Sequence, residues 1–288
     1  IKIKIKIDWR MNMKKFQIVV DSASDLKSDY LQDEEIGFSV VPLTINVSDR
    51  EYIDNDNIEI EKMLKDMHES KKSSSACPAP QSFLQEFEKA EYTFVVTITS
   101  KLSGCYNSAI VAKQSYEKAD NVFVIDSKAV SGVEILLVDK LVSLIKKGLS
   151  FEEIQEKIIE YRDKRSLYFI LQKFDNLVNN GRMSKIAGLI ASTLVIRPIC
   201  IAHEGEIKIA KKIIGIKNCF AKLVQMIQEK SKDYSNDTLI ITHCFCEDDA
   251  NSIKKDIESK CNFKEIRVMP MRGLCSYYAL EKGLIICH

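Results

Sequence analysis

Thr93-Phe-Val-Val-Thr-Ile98, followed at once by Thr99-Ser-Lys-Leu-Ser-Gly-Cys-Tyr-Asn-Ser-Ala-Ile-Val-Ala-Lys113, is the stretch from which the fold can be read. The first six residues are apolar and β-branched, the pattern of a strand buried on both faces. After Gly104 the apolar residues Tyr106, Ala109, Ile110 and Ala112 recur at helical spacing. A buried strand therefore ends in a short hydroxyl-rich loop that opens a helix. The first N–H groups of such a helix lack partners within it, and its dipole favours negative charge there. Ser100 and Ser103 add side-chain donors, and Gly104 lets a ligand come close to the main chain. The loop suits an anion. A plain N-cap at Ser103 explains the same residues.

The pattern repeats on either side. Residues 16–20 read as a strand running into the polar turn Asp21-Ser-Ala-Ser-Asp25, which is expected to cap a following helix. Residues 40–47 read as one edge or bulged strand around Pro42, 58–70 as an amphipathic helix, 71–80 as a Ser- and Pro-rich loop, and 81–90 as a helix. Residues 122–126 are another short buried strand, 132–147 an apolar helix, and Ser150-Phe-Glu-Glu153 a capping box opening a helix to about Asp163. Such alternation implies a parallel sheet covered on both faces, with ligands at the carboxyl ends of its strands. There Asp21, Ser75, Ser100 and Asp126 can gather.

From about Ser166 the order changes. Strands are expected at 167–171, 237–244, 263–269 and 284–287, a hairpin at 195–203 and 206–214, and helices at 174–178, 185–194, 218–230 and 247–260. We therefore expect a parallel-sheet α/β domain over residues 14–165. A second α/β domain, with a mixed or largely antiparallel sheet, is expected over 166–288. The alternating Ile-Lys run at residues 1–7 has a strand pattern with one cationic face and carries no functional reading.

The net charge of +1 argues against nucleic acid as a partner. No apolar run is long enough for stable membrane insertion, and no signal peptide is evident. Nine scattered cysteines without Cys-x-x-Cys spacing favour a reducing, cytoplasmic setting over a disulfide framework.

Asp21-Ser-Ala-Ser-Asp25, Val41-Pro-Leu43, Ser75-Ala-Cys-Pro-Ala-Pro80, Ser100-Lys-Leu-Ser-Gly104 with Tyr106-Asn-Ser-Ala109, Asp126-Ser127, Gly181-Arg-Met-Ser184 and Arg197-Pro-Ile199 together resemble the DegV family, in the family's order and over nearly the whole chain. The resemblance implies a cytoplasmic, non-catalytic carrier that holds a long-chain fatty acid between two domains and needs no other cofactor. It also implies a fatty acid kinase as partner, to which some members present the ligand. Ser75 falls where the family has a Thr on the carboxylate, and the 100–104 loop (Ser100, Ser103, Gly104) on its second head-group contact. Arg182 matches the Arg of the Gly-Gly-Arg-Ile-Ser turn, with Asn180 replacing the first Gly. Two stretches depart from the family. Arg272-Gly-Leu-Cys-Ser-Tyr-Tyr278 stands where a Thr-His-x-Gly-Pro-Gly stretch is usual, with Cys275 nearest the His. Lys212-Ile-Ile-Gly-Ile216 replaces a Lys-Val-Arg-Gly-Arg loop associated with kinase presentation, placing Ile214 and Ile216 at its arginines.

Competing chemistry is thinly supported. Cys105 sits in a first helical turn, where a thiolate is stabilised, but no His can be assigned as its base, and a buried inert Cys fits as well. His243-Cys-Phe-Cys246 would put two cysteines on one strand face, short of a metal ligand set. His68, in a last helical turn, suits the dipole there. Asp21, Asp25 and Asp126 could hold Mg²⁺ and a phosphate. They would then support an enzyme acting on a small phosphorylated or carbonyl substrate at the same cleft, although no Gly-x-x-x-x-Gly-Lys loop or Gly-x-Ser-x-Gly elbow accompanies them.

Overall fold

A computed structural model describes residues 13–70, 72–183 and 196–288. The Ile-Lys run at 1–7, Ser184 and the helix expected at 185–194 lie outside the described residues.

The first part of the chain runs β1 (Lys14–Asp21), a 3-10 turn (Ser22–Ser24), β2 (Ile36–Val41), β3 (Thr44–Val47), β4 (Arg50–Ile53), α1 (Ile60–Glu69), β5 (Ser73–Ala76), α2 (Pro80–Phe87), β6 (Ala90–Thr97), α3 (Cys105–Ser115), β7 (Val122–Asp126), α4 (Gly132–Lys146) and α5 (Phe151–Asp163). Strands β2-β1-β6-β7 form a wholly parallel sheet. Its side chains alternate as period-two geometry requires. Ile18, Val20, Phe94, Val96 and Ile125 face a central core shared with α4 and α5, whereas Val19, Val95 and Val124 face α2 and α3. The capping box of α5 is present: the Ser150 hydroxyl accepts the Glu153 N–H at 3.2 Å, and the Glu153 carboxylate accepts the Ser150 N–H at 2.8 Å.

The second part runs β8 (Leu167–Ile170), α6 (Asp175–Asn179), β9 (Ile196–His203), β10 (Glu206–Ile214), α7 (Ile216–Lys230), β11 (Thr238–His243), α8 (Glu247–Glu258), β12 (Glu265–Pro270), α9 (Gly273–Ala279) and β13 (Leu284–Cys287). Its sheet, β10-β9-β8-β13-β11-β12, is mixed: β11 and β12 pair parallel, the other neighbours antiparallel. Leu167 and Phe169 point to the central core, while Tyr168 and Ile170 point to an outer core under α7 and α8. Two α/β domains thus share the layer that contains α4.

Several elements differ from expectation. Residues 40–47 are two strands. Pro42 supplies no N–H, so β2 stops at Val41 and the chain restarts as β3 in a separate antiparallel sheet, β4-β3-β5. The stretch read as a Ser-rich loop contributes β5 to that sheet, Ser75 pairing with Ile45. No helix follows Asp25. Its left-handed backbone (φ 60°) ends the 3-10 turn, and the chain runs irregularly to β2. The strand before His243 does not continue through Cys246. Phe245 is left-handed (φ 52°) and exposed, so Cys244 enters the central core and Cys246 the outer one, on opposite faces instead of the same one.

Candidate functional site

The carboxyl ends of β6 and β7 face the inner surface of the mixed sheet, and between them lies a cavity of about 820 Å³, its open mouth included. The wall is apolar over most of its extent. Leu167, Phe169 and Ile285 come from the mixed sheet, Ile98, Leu102 and Val130 from the loops after β6 and β7, and Leu274 and Ala279 from α9. Loop and hairpin touch across it: the Thr99 hydroxyl donates to the Gly205 carbonyl at 3.1 Å. Gly205 has φ +81°, and a Cβ there would sit 2.3 Å from the Thr99 oxygen. Only glycine suits this clasp.

Polar groups collect at one place on this wall. The hydroxyls of Ser75 and Tyr278 are 2.8 Å apart. The Arg182 guanidinium lies 5.9 Å from the centre of the Tyr278 ring, and is held by the carbonyls of Leu102 (3.2 Å) and Asn180 (2.5 Å). Ser103, beside Leu102, also lines the cavity. Its hydroxyl accepts the Cys105 N–H at 3.3 Å and lies 3.2 Å from the Cys105 sulfur. The N-cap position of α3 is Gly104 and not Ser103, whose oxygen, one residue before it, accepts the first helical N–H while bordering the cavity.

Of the residues singled out in the sequence, Ser75, Ser103, Arg182 and Cys275 line the cavity. Ser100 and Gly104 do not. The exposed Ser100 hydroxyl donates to Asp126 at 2.5 Å and its N–H to the same carboxylate at 3.2 Å, turned away from the cavity. Gly104 serves packing: a Cβ would come within 2.9 Å of the Cys77 sulfur, so its absence lets β5 and the start of α3 approach. Tyr278, Thr99 and the hairpin tip were not singled out. For Tyr278 the signal was its place in the 272–278 stretch that departs from the family.

The aspartates act on the backbone. Asp21 accepts the N–H groups of Ala23 (3.0 Å) and Ile98 (2.9 Å). Asp25 accepts the Ser131 hydroxyl (2.5 Å) and the Arg272 N–H (2.7 Å). Asp126 braces Ser100 and the Lys128 N–H (2.9 Å). Burial raises Asp21 and Asp25 from the usual carboxylate range to about 7. Among the described residues no group of three or more His, Cys, Asp or Glu is placed to hold a metal ion. Cys105 is buried, and burial pushes its thiol well above the ordinary range, which removes the thiolate a nucleophile would need. Cys275 is likewise pushed up, its sulfur 3.3 Å from the Ala23 carbonyl. His68 pairs with Glu281 at 2.7 Å. Among the described residues no helix is long and apolar enough to cross a membrane.

Comparison with known proteins agrees with this architecture. A DegV domain-containing protein of Streptococcus pyogenes serotype M1 is 37% identical over 276 residues, covering 94% of this chain and 98% of that protein. One from Streptococcus gordonii is 38% identical over 280 residues, with the same coverage. Among solved structures, a DegV protein from Ruminococcus gnavus with vaccenic acid superposes with a TM-score of 0.89 at 28% identity, covering 96% of this chain and all of that one. A DegV protein from Eubacterium eligens loaded with heptadecanoic acid gives 0.86 at 34%, covering 94% and 98%. The Streptococcus pneumoniae Fatty Acid Kinase (Fak) B3 protein loaded with linoleic acid gives 0.86 at 36%, covering 95% and 99%. The profile described as "Uncharacterised protein, DegV family" matches residues 15–285, and with these relatives it establishes that the chain belongs to the DegV family.

Proposed function

We propose that the chain is a non-catalytic carrier of a long-chain fatty acid. The acyl chain lies along the apolar wall of the cavity and the carboxylate among Ser75, Ser103, Tyr278 and Arg182. The observation that carries this reading is a cavity wall apolar over most of its extent, with the Ser75–Tyr278 hydroxyl pair and the Arg182 guanidinium grouped on one part of it. The fatty acids in three related structures support it. Moving a chain of ~14 methylenes out of water, at about 0.8 kcal/mol each, sets a ceiling near ~11 kcal/mol. The carboxylate repays several kcal/mol of desolvation only if it meets donors. Chain burial thus supplies affinity, and the hydroxyls and guanidinium set orientation.

Presentation of the bound acid to a fatty acid kinase extends this proposal, supported by likeness to the Streptococcus pneumoniae protein. Ile214, two-thirds exposed at the end of β10, would then offer that partner an apolar contact in place of a cationic one.

Native mass spectrometry of the purified chain tests the carrier reading. The expected spectrum carries an adduct of fatty-acid mass that delipidation removes and added oleate restores. A chain that is empty as isolated and refuses oleate in titration sinks it.

A further inference from the structure

Behind the cavity wall lies a second polar cluster that fatty-acid binding, as described above, does not use. Asp21, Asp25, Asp54 and Glu134 are all buried. Two of them are tied to the wall through its backbone, and a third to the residue that precedes α9. Asp21 accepts the N–H of Ile98 at 2.9 Å, and Asp54 those of Gly273 (2.9 Å) and Leu274 (2.8 Å). Asp25 accepts that of Arg272 at 2.7 Å, three residues before Cys275, whose thiol donates to the Ala23 carbonyl at 3.3 Å. Ile98, Leu274 and Cys275 line the cavity. The fourth member, Glu134 in the first turn of α4, has no hydrogen-bond partner for either carboxyl oxygen and is fully buried.

Elements packed around this seam bring little positive charge. From α3 comes Cys105, from β7 Asp126, from the segment after β11 Cys244, from α9 Cys275 and from β13 Cys287. Burial holds all four of these thiols above their ordinary range and hence neutral. Among the described residues the cation beside the cluster is Arg272, whose guanidinium is drawn off toward the Asn55 carbonyl (2.5 Å) and Asp56 (3.8 Å). Four buried carboxyl groups with one guanidinium near Asp54 cannot all be ionised, because an unpaired buried carboxylate neutralises sooner than pay its desolvation. Part of the cluster therefore carries protons near neutral pH, with Asp21 and Asp25 raised to about 7 and Glu134 well above the ordinary value.

We propose that this seam is a proton-binding site coupled to the cavity, which takes up a proton from solvent when a carboxylate ligand enters beside Cys275 and Ser103. A new negative charge in the same low-dielectric region further disfavours ionised Asp21, Asp25 and Glu134. The only bond formed is O–H on one of these carboxyls, and the donor is buffer. By reciprocity, affinity for the anion must then fall as pH rises, by at most about tenfold per pH unit for each proton taken up. The inference rests on the fatty-acid reading above.

Isothermal titration of the full chain with oleate at pH 7, in buffers of different ionisation enthalpy, counts the protons. Oleate labelled with ¹³C at its carboxyl reports by NMR whether the bound ligand is itself ionised. We expect net proton uptake with an ionised ligand, no uptake with oleyl alcohol, and reduced uptake in Asp25→Asn, a neutral isostere of one of the two carboxyls half-protonated near pH 7. The wild-type titration stands by itself should that variant not fold. Binding with no buffer-dependent heat overturns the linkage and leaves the carrier reading standing, as does uptake accompanied by a protonated ligand carboxyl. Absence of any binding overturns both.

Discussion

The hydroxyls of Ser75 and Tyr278, 203 positions apart in the chain, meet at 2.8 Å on the cavity wall and join the small sheet to α9. Their mutual hydrogen bond uses one O–H, and a carboxylate entering between them would replace that bond and take both O–H donors. Removing either hydroxyl takes one charge-assisted donor from a bound carboxylate and leaves the apolar wall intact. Ser75→Ala and Tyr278→Phe should each weaken oleate binding about tenfold, as hydrogen bonds to charged groups contribute roughly 1.5–3 kcal/mol. The melting temperature of the unliganded protein should move little. Titration calorimetry reads the effect, and unchanged affinity in both variants removes the pair from the head-group site.

Ser100 makes the opposite prediction. Its hydroxyl and N–H both hold Asp126, so it braces the loop after β6 against the end of β7 without touching the cavity. Ser100→Ala should lower stability by about 1 kcal/mol, in the manner of other lost local hydrogen bonds, and leave oleate affinity within about twofold. A tenfold affinity loss without destabilisation would return Ser100 to the ligand.

The contrast between Ser100 and Ser103 shows where sequence stops being informative. Both are hydroxyls on one loop, three residues apart, and motif position assigns them to the same role. Which faces the cavity depends on Asp126 lying on the other side, a relation between two strand ends that neither stretch contains. Strands such as β1 and β6 were legible because burial on both faces leaves an unbroken apolar run. β5 was not, since four residues, Ser-Ser-Ser-Ala, carry no alternation and are held extended by β3. The helix α9 is nearly all buried, so it lacks the polar stripe that reveals an amphipathic helix. With it went Tyr278.

Ala202, on β9, presents only a methyl group to the cavity. Strand residues tolerate large side chains where space exists, and here the space is the proposed acyl channel. Ala202→Trp should fill it, cutting oleate affinity by more than about tenfold, while the unliganded melting temperature holds or rises. A bound fatty acid of shorter chain in the mass spectrum of that variant would show that the residue borders the tail end. Undiminished affinity for oleate would mean that the chain runs elsewhere.

The buried carboxyls also predict an unusual pH profile. Asp21 and Asp25 have pKa values near 7 in the folded chain against 3.8 for the ordinary group. The native state therefore binds more protons than the unfolded one between those values, and these groups make stability fall as pH rises through that window. His288 acts with the reverse sign. Buried against Tyr168, Tyr234 and Phe263, its imidazole is depressed to about 3, so its contribution to stability is lost as pH falls below 6.5. Asp25→Asn isolates one side of this balance. It should stabilise the protein at pH 8, where the native carboxyl must ionise, by up to roughly 4 kcal/mol at about 1.4 kcal/mol per unit of displacement. Near pH 4 it should give no gain. Thermal melts of the two proteins across pH 4–8 measure the difference, and parallel curves would show that Asp25 titrates like an exposed carboxylate.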